Sequence, residues 1–170
     1  MDIFVERIVA KKKDFLDYFF IFAVFFSALF LFSIVLYLFS ISSISMMLLL
    51  IISYLVYFVI SLRKIEYEYA VTNGELDIDK IINQKKRKRM FSASCREFSV
   101  FSKLDLEKHK NEISEIPQKI KAVSSMNSQN VYFFTANYKG KKSVVFFEPD
   151  ERMLNALKPY ISKKIIKNWE

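Results

Sequence analysis

From residue 18 to residue 62 the chain has no Asp, Glu, Lys, Arg or His, and almost every position is apolar. A membrane-spanning helix needs about 20 such residues, and one helix over the whole block would be about 67 Å long. That is more than twice a hydrocarbon core of about 30 Å, so the block predicts two spans. Serines recur in Ser40-Ile41-Ser42-Ser43-Ile44-Ser45 and mark the link. The spans are expected near residues 18–39 and 46–62, within a hairpin covering residues 15–64. Helices apolar all round need a large protein shell or a bilayer to bury them, and the rest of the chain is too short to be that shell.

On either side of the block the period changes. Residues 2–14 place Phe4, Val5, Ile8 and Val9 on one face of a helix, so residues 1–14 read as an amphipathic segment. The spacing leaves open whether it lies in the membrane interface, extends the first span or packs on the polar domain. After the block, Ile65, Tyr67, Tyr69 and Val71 alternate with polar residues up to Asn73-Gly74, the strongest short hairpin signal, and Leu76 and Ile78 alternate beyond it. Met90 to Cys95 reads as a third strand, and Phe98, Val100 and Phe101 fit either a fourth or a turn. Residues 103–118 are polar without a clear period, and residues 119–123 suggest a short strand. A second hairpin runs from Val131 to Tyr138, turns at Lys139-Gly140-Lys141 and returns through Ser143 to Phe147. Pro149-Asp150-Glu151 opens a helix with Met153, Leu154, Leu157 and Ile161 on its apolar face; Pro159 interrupts it, and Lys163, Lys164 and Lys167 suit its C-terminal end. Residues 65–170 are thus expected to form one α+β domain, a curved antiparallel sheet capped by a C-terminal helix.

Charge adds sidedness. The net charge is +8, and Arg7, Lys11, Lys12, Lys13, Arg63 and Lys64 flank the apolar block while its central link has no charge. The positive-inside rule then puts both termini in the cytoplasm of a multi-pass protein of the cell membrane. A cleaved signal peptide fits poorly, because the apolar run is too long and a second span follows it. The spans hold only hydroxyls as polar groups, among them Ser27, Ser33, Tyr37, Ser53, Tyr54 and Tyr57, so they read as an anchor and not as a transport path.

Candidate chemistry is sparse. One cysteine, Cys95, and one histidine, His109, cannot build a disulfide framework or a Cys/His zinc site. Cys95 reads as a small strand residue and His109 as a solvated one. No nucleophile elbow, phosphate-binding loop or zinc-protease motif occurs, so no catalytic residue, metal or cofactor is implied. The acid pairs Asp77/Asp79 and Glu66/Glu68 share strand faces and read as a solvated surface.

The tract Tyr67-Glu68-Tyr69-Ala70-Val71-Thr72-Asn73-Gly74-Glu75-Leu76-Asp77-Ile78, with Phe146-Phe147-Glu148-Pro149-Asp150 and Met153-Leu154, resembles the bacterial pleckstrin-homology-like (PH-like) domains that follow a two-helix membrane anchor. The whole chain is similar to a bacterial family of small membrane proteins with that layout. The resemblance implies a PH-like fold and names no ligand; residues 103–130 depart from it.

The remaining feature is Lys85-Lys86-Arg87-Lys88-Arg89, read as a loop between strands. Beside a bilayer, such a tract attracts anionic lipid headgroups by about 1 kcal/mol per cation. Its plainer reading is a solvated turn that keeps the hairpin soluble. Two other readings stand beside these: an adaptor or scaffold that binds a protein partner through a sheet edge, and nucleic-acid binding. The last is the weakest, because no recognition motif accompanies the cations.

Overall fold

The computed structural model describes residues 3–105, 109, 113–162 and 165–168. The chain divides into two compact units: Lys12–Lys64, and a second unit made of Met1–Lys11 with Ile65–Glu170.

The first unit is a pair of helices, α1 (Phe15–Phe39) and α2 (Ser43–Ser61), both long and apolar enough to cross a membrane. At 1.5 Å per residue they are about 37 and 28 Å long, against a hydrocarbon core of about 30 Å. Three residues separate them, fewer than the serine pattern implies, because two of those serines begin α2. Ser42 is its N-cap, with Ser45 N–H donating to Ser42 Oγ (3.3 Å) and Ser42 N–H donating to Ser45 Oγ (2.9 Å). This reciprocal box satisfies two of the donors that every helix start leaves open. Ser27, Ser33, Ser53 and Ser61 donate their hydroxyls to carbonyls three or four residues back, which hides their polarity within the helices.

The second unit begins with a correction. Residues 4–10 form a strand, β1 (Phe4–Ala10), where the spacing predicts a helix. The segment Phe-Val-Glu-Arg-Ile-Val-Ala fits both periods. The neighbouring strand decides, by offering β1 a full ladder from Phe4↔Thr72 to Ala10↔Glu66. Val5, Arg7 and Val9 share the register of the core residues Val71, Tyr69 and Tyr67, and Phe4 and Ile8 are left exposed on the other face. The domain expected over residues 65–170 therefore lacks one of its strands unless residues 4–10 are included.

β2 (Ile65–Thr72), β3 (Glu75–Ile82) and β4 (Lys86–Ser94) complete an antiparallel sheet in the order β1-β2-β3-β4. Asn73 and Gly74 turn β2 into β3 with φ of 49° and 87°. Cys95 starts a 3-10 turn, Cys95–Glu97, instead of ending a strand, and is fully buried. β5 (Val100–Lys103), β6 (Gln118–Lys121), β7 (Tyr132–Tyr138), β8 (Lys141–Phe147) and β9 (Ile166–Asn168) form a second, mixed sheet in the order β6-β8-β7-β5-β9. The Lys139-Gly140 turn joins β7 to β8 as the pattern predicts.

The main core lies between the sheets. Tyr69, Val71, Leu76, Ile78 and Phe91 from the first meet Phe101, Phe134, Val145 and Phe147 from the second. A short helix, α3 (Glu151–Leu157), closes it with Met153, Ala156 and Leu157. Asp150 caps α3, accepting from Met153 N–H at 2.9 Å. The helix stops two residues before Pro159, as the ring demands. Lys167 consequently falls on β9; Lys163 and Lys164 lie outside the described residues.

The polar stretch after β5 also has a structural task. Ile113, Ile116, Val123, Met126 and Val131 cover Phe133, Val144 and Phe146 on the outer face of the second sheet. His109 belongs to this cover. It is buried, its ring meets Phe133 edge-on at 4.9 Å, and its Nδ1 lies 3.1 Å from the Asp105 carbonyl. The solvated histidine expected from its charged neighbours is not what the chain builds.

Candidate functional site

The five cations do not sit on a loop. Ile82-Asn83-Gln84-Lys85 is a tight turn, with Lys85 N–H donating to Ile82 O at 3.1 Å and φ of 51° and 54° at Asn83 and Gln84. Two consecutive positive φ values give the hairpin turn whose twist matches the strands. Only Lys85 lies in it, and Lys86, Arg87, Lys88 and Arg89 are the first four residues of β4. Alternation then splits them between two faces.

Arg87 and Arg89 share a face with Glu68, Asp77 and Asp79. Arg89 grips Asp79 with Nε (2.5 Å) and reaches Asp77 Oδ1 with Nη1 (2.7 Å). Its guanidinium pKa rises, chiefly through the hydrogen bond to Asp79, against some burial. Arg87 Nη2 forms an ion pair with Glu68 Oε2 at 2.6 Å. Glu68 is buried, and burial raises its carboxyl pKa; Arg87 opposes this, while the acids Glu6 and Asp79 add to it. A one-residue bulge between Ile78 and Asp79 brings this alignment about: Ile78 faces Phe91, and Asp79 faces Arg89.

Lys86 and Lys88 share the opposite face, where β3 presents Ile82 and Lys80 as their cross-strand partners. Lys80, Lys86 and Lys88 make no ion pair among the described residues. Lys85 lines a cleft of 350 Å³ on the arginine side with Ile8, Glu66, Ile81, Gln84 and Arg87. The acid pairs read as a solvated surface are in part the partners of the two arginines, a role visible only once β3 and β4 are in register.

The tract also has a definite place in the sheet. Ala10, Glu66, Ile81 and Arg87 form one row across the four strands, and Lys11 N–H donates to Ile65 O at 2.9 Å. The cations therefore stand at the end of the sheet where the chain leaves for α1 and returns from α2.

The residues that carry the family resemblance lie elsewhere and are structural. Tyr69 donates its hydroxyl to the Ala122 carbonyl and accepts from Glu148 N–H at 3.3 Å. Glu148 Oε1 accepts from Ser124 N–H (2.9 Å) and Oγ (2.8 Å). This buried chain ties β2 to the segments flanking β6 and following β8. Burial pushes the Tyr69 phenol pKa well up and the Cys95 thiol to about 12, which keeps both neutral.

Two apolar helices and a pair of packed sheets closed by a short helix define a PH-like α+β protein with a helical anchor. The chain belongs to the family described as bacterial PH-like domain (DUF6106), whose pattern matches residues 1–167. No curated protein and no solved structure matches it.

Proposed function

We propose that the protein is a membrane-anchored, non-enzymatic PH-like interaction module that works at the cytoplasmic face and contacts anionic headgroups through the basic end of its first sheet. The carrying observation is the row Ala10–Glu66–Ile81–Arg87. Because Ala10 and Glu66 are cross-strand neighbours, the apolar hairpin starts and ends at one place, which supports an even number of crossings. Residues 11–14 and 62–64 are the only links, and at about 3.5 Å each they reach roughly 10–14 Å. Three further strand spacings of about 4.8 Å separate Ala10 from Arg87. A bilayer holding α1 and α2 thus keeps the tract within a short chain length of the headgroups. At about 1 kcal/mol per cation, screened over about 8–10 Å, this favours docking by a few kcal/mol. The positive-inside pattern supports the cytoplasmic side.

A protein partner is the second reading, and it too has its observation. β1 is an edge strand, with Phe4 64% and Ile8 53% exposed on its outer face.

The test is hydrogen exchange on the full chain in nanodiscs, made either of phosphatidylcholine alone or with added phosphatidylglycerol. Docking predicts slower exchange over residues 80–89 with the anionic lipid, reversed by salt. Equal exchange in the two lipids would sink the lipid reading. A salt-resistant copurifying protein, lost on Phe4→Ser and Ile8→Ser substitution, would favour the partner.

A further inference from the structure

We infer that the headgroup contact is made by a lysine row, Lys80, Lys86 and Lys88, which brackets lipid phosphate, and that Arg87 and Arg89 serve the sheet instead. This rests on the lipid reading and assigns its residues, including Lys80, which lies outside the basic run.

Lys80 and Lys88 are directly opposite in the β3–β4 register. Directly opposed residues hold their Cβ atoms about 4.5–5.5 Å apart, and like charges there repel unless an anion lies between them. Among the described residues no carboxylate reaches either lysine or Lys86. On the other face the sheet supplies three carboxylates for two arginines, Asp77 and Asp79 from β3 and Glu68 from β2, at 2.5–2.7 Å. The sheet thus neutralises the two outer arginines and leaves the inner lysines to an external anion.

The residue types agree with this division. An arginine fork matches a fixed carboxylate and loses its value when the partner moves. A lysine ammonium is a compact charge on a flexible stem, with no preferred plane. A phosphodiester in a fluid bilayer is a mobile target and suits the lysines. Lys86 and Lys88 are exposed and Lys80 is half-buried, so a phosphate bridging Lys80 and Lys88 is held on one side by the sheet itself. The row lies at the end of the sheet where the chain leaves for α1 and returns from α2, which selects a lipid of the same bilayer as the source of phosphate.

The experiment compares the full chain in a non-ionic detergent with two variants, K80Q/K86Q/K88Q and R87Q/R89Q. The probe is short-chain phosphatidylglycerol, with short-chain phosphatidylcholine and inorganic phosphate as controls; affinity and melting temperature are both read. The lysine variant is expected to bind phosphatidylglycerol at least tenfold more weakly while melting no lower than wild type, and K80R/K86R/K88R to restore most of the affinity. The arginine variant is expected to melt lower and, below its transition, to bind within about twofold of wild type. A folded arginine variant that loses binding while the lysine variant keeps it would overturn the assignment and leave the lipid reading standing. A wild-type chain that binds both lipids equally would overturn both. Displacement of phosphatidylglycerol by millimolar inorganic phosphate would overturn the lipid as source.

Discussion

Arg63, two residues past α2, places Nη1 3.3 Å from Asp17 Oδ1 in the first turn of α1, and its guanidinium lies 3.9 Å from the centre of the Phe20 ring. Asp17 is the one charged residue buried within α1, and its other oxygen accepts from Asp14 N–H at 3.2 Å. The pair closes the open end of the helical hairpin, opposite the capped serine link. Arg63 is 40% exposed, so the attraction is partly screened and worth about 0.5–1 kcal/mol. Arg63→Ala should loosen the helix ends by that amount, read as faster proteolysis at residues 62–64 in nanodiscs. Arg63→Lys should recover less than half, because lysine cannot stack its charge flat on Phe20. Equal proteolysis in all three chains would show that the pair holds nothing.

The pairing of β1 with β2 predicts how the polar unit can be isolated. A chain starting at Ile65 loses the strand that carries Val9 and exposes the edge of β2, with Tyr67 and Tyr69 behind it. It should aggregate or melt far lower than a chain in which residues 12–64 are replaced by a short Gly-Ser link. The link can be short, because Lys11 N–H already bonds Ile65 O. Circular dichroism of the two soluble chains decides; similar melting would show that β1 is dispensable.

Much of this was legible in the residues. The apolar block, Asn73-Gly74 and Lys139-Gly140 each carry a local signal with one physical reading, and the elements around them appear where the pattern puts them. β1 was not legible, because seven residues fit either period and only a partner strand beyond the whole apolar block breaks the tie. The Asn83-Gln84 turn has no glycine to announce it, so the basic run reads as a loop. At the candidate site the positive charge was visible but its division was not. Which cations are neutralised depends on a register in which Glu68, Asp77 and Asp79 stand across the sheet.

Gly74 makes the first hairpin depend on more than its turn. Its φ of +87° is strained for any side chain, and a Cβ there would overlap one edge of the Tyr160 ring. Gly74→Ala must therefore displace Tyr160, which packs against the main core. A loss of about 2–4 kcal/mol is expected from the backbone and the overlap together, read as a lower melting temperature. Adding Tyr160→Ala should relieve the overlap but keep the strain, so the double variant should lose less than the sum of the singles. Strict additivity would show that the two residues do not interact.

Two carboxylates give opposite pH signatures. Burial alone would raise the Asp150 pKa, but Met153 N–H and the Arg152 guanidinium together bring it below its ordinary value. A lowered folded pKa contributes stability above the unfolded value of about 3.9, lost as pH falls through the folded one. Asp150→Ala should cost about 1 kcal/mol at neutral pH and progressively less in acid. Glu68 is the reverse case, its folded pKa raised first by burial. Its ionised form is favoured less in the folded state than in the unfolded one, so the group costs stability above its folded pKa, and the cost disappears as pH falls below the unfolded value of about 4.3. Glu68→Gln should therefore match or exceed wild type in melting temperature at pH 7. That advantage should vanish near pH 4, because wild-type Glu68 is then protonated as well. A Glu68→Gln chain that melts markedly lower at pH 7 would mean that the 2.6 Å contact with Arg87 outweighs the burial of Glu68.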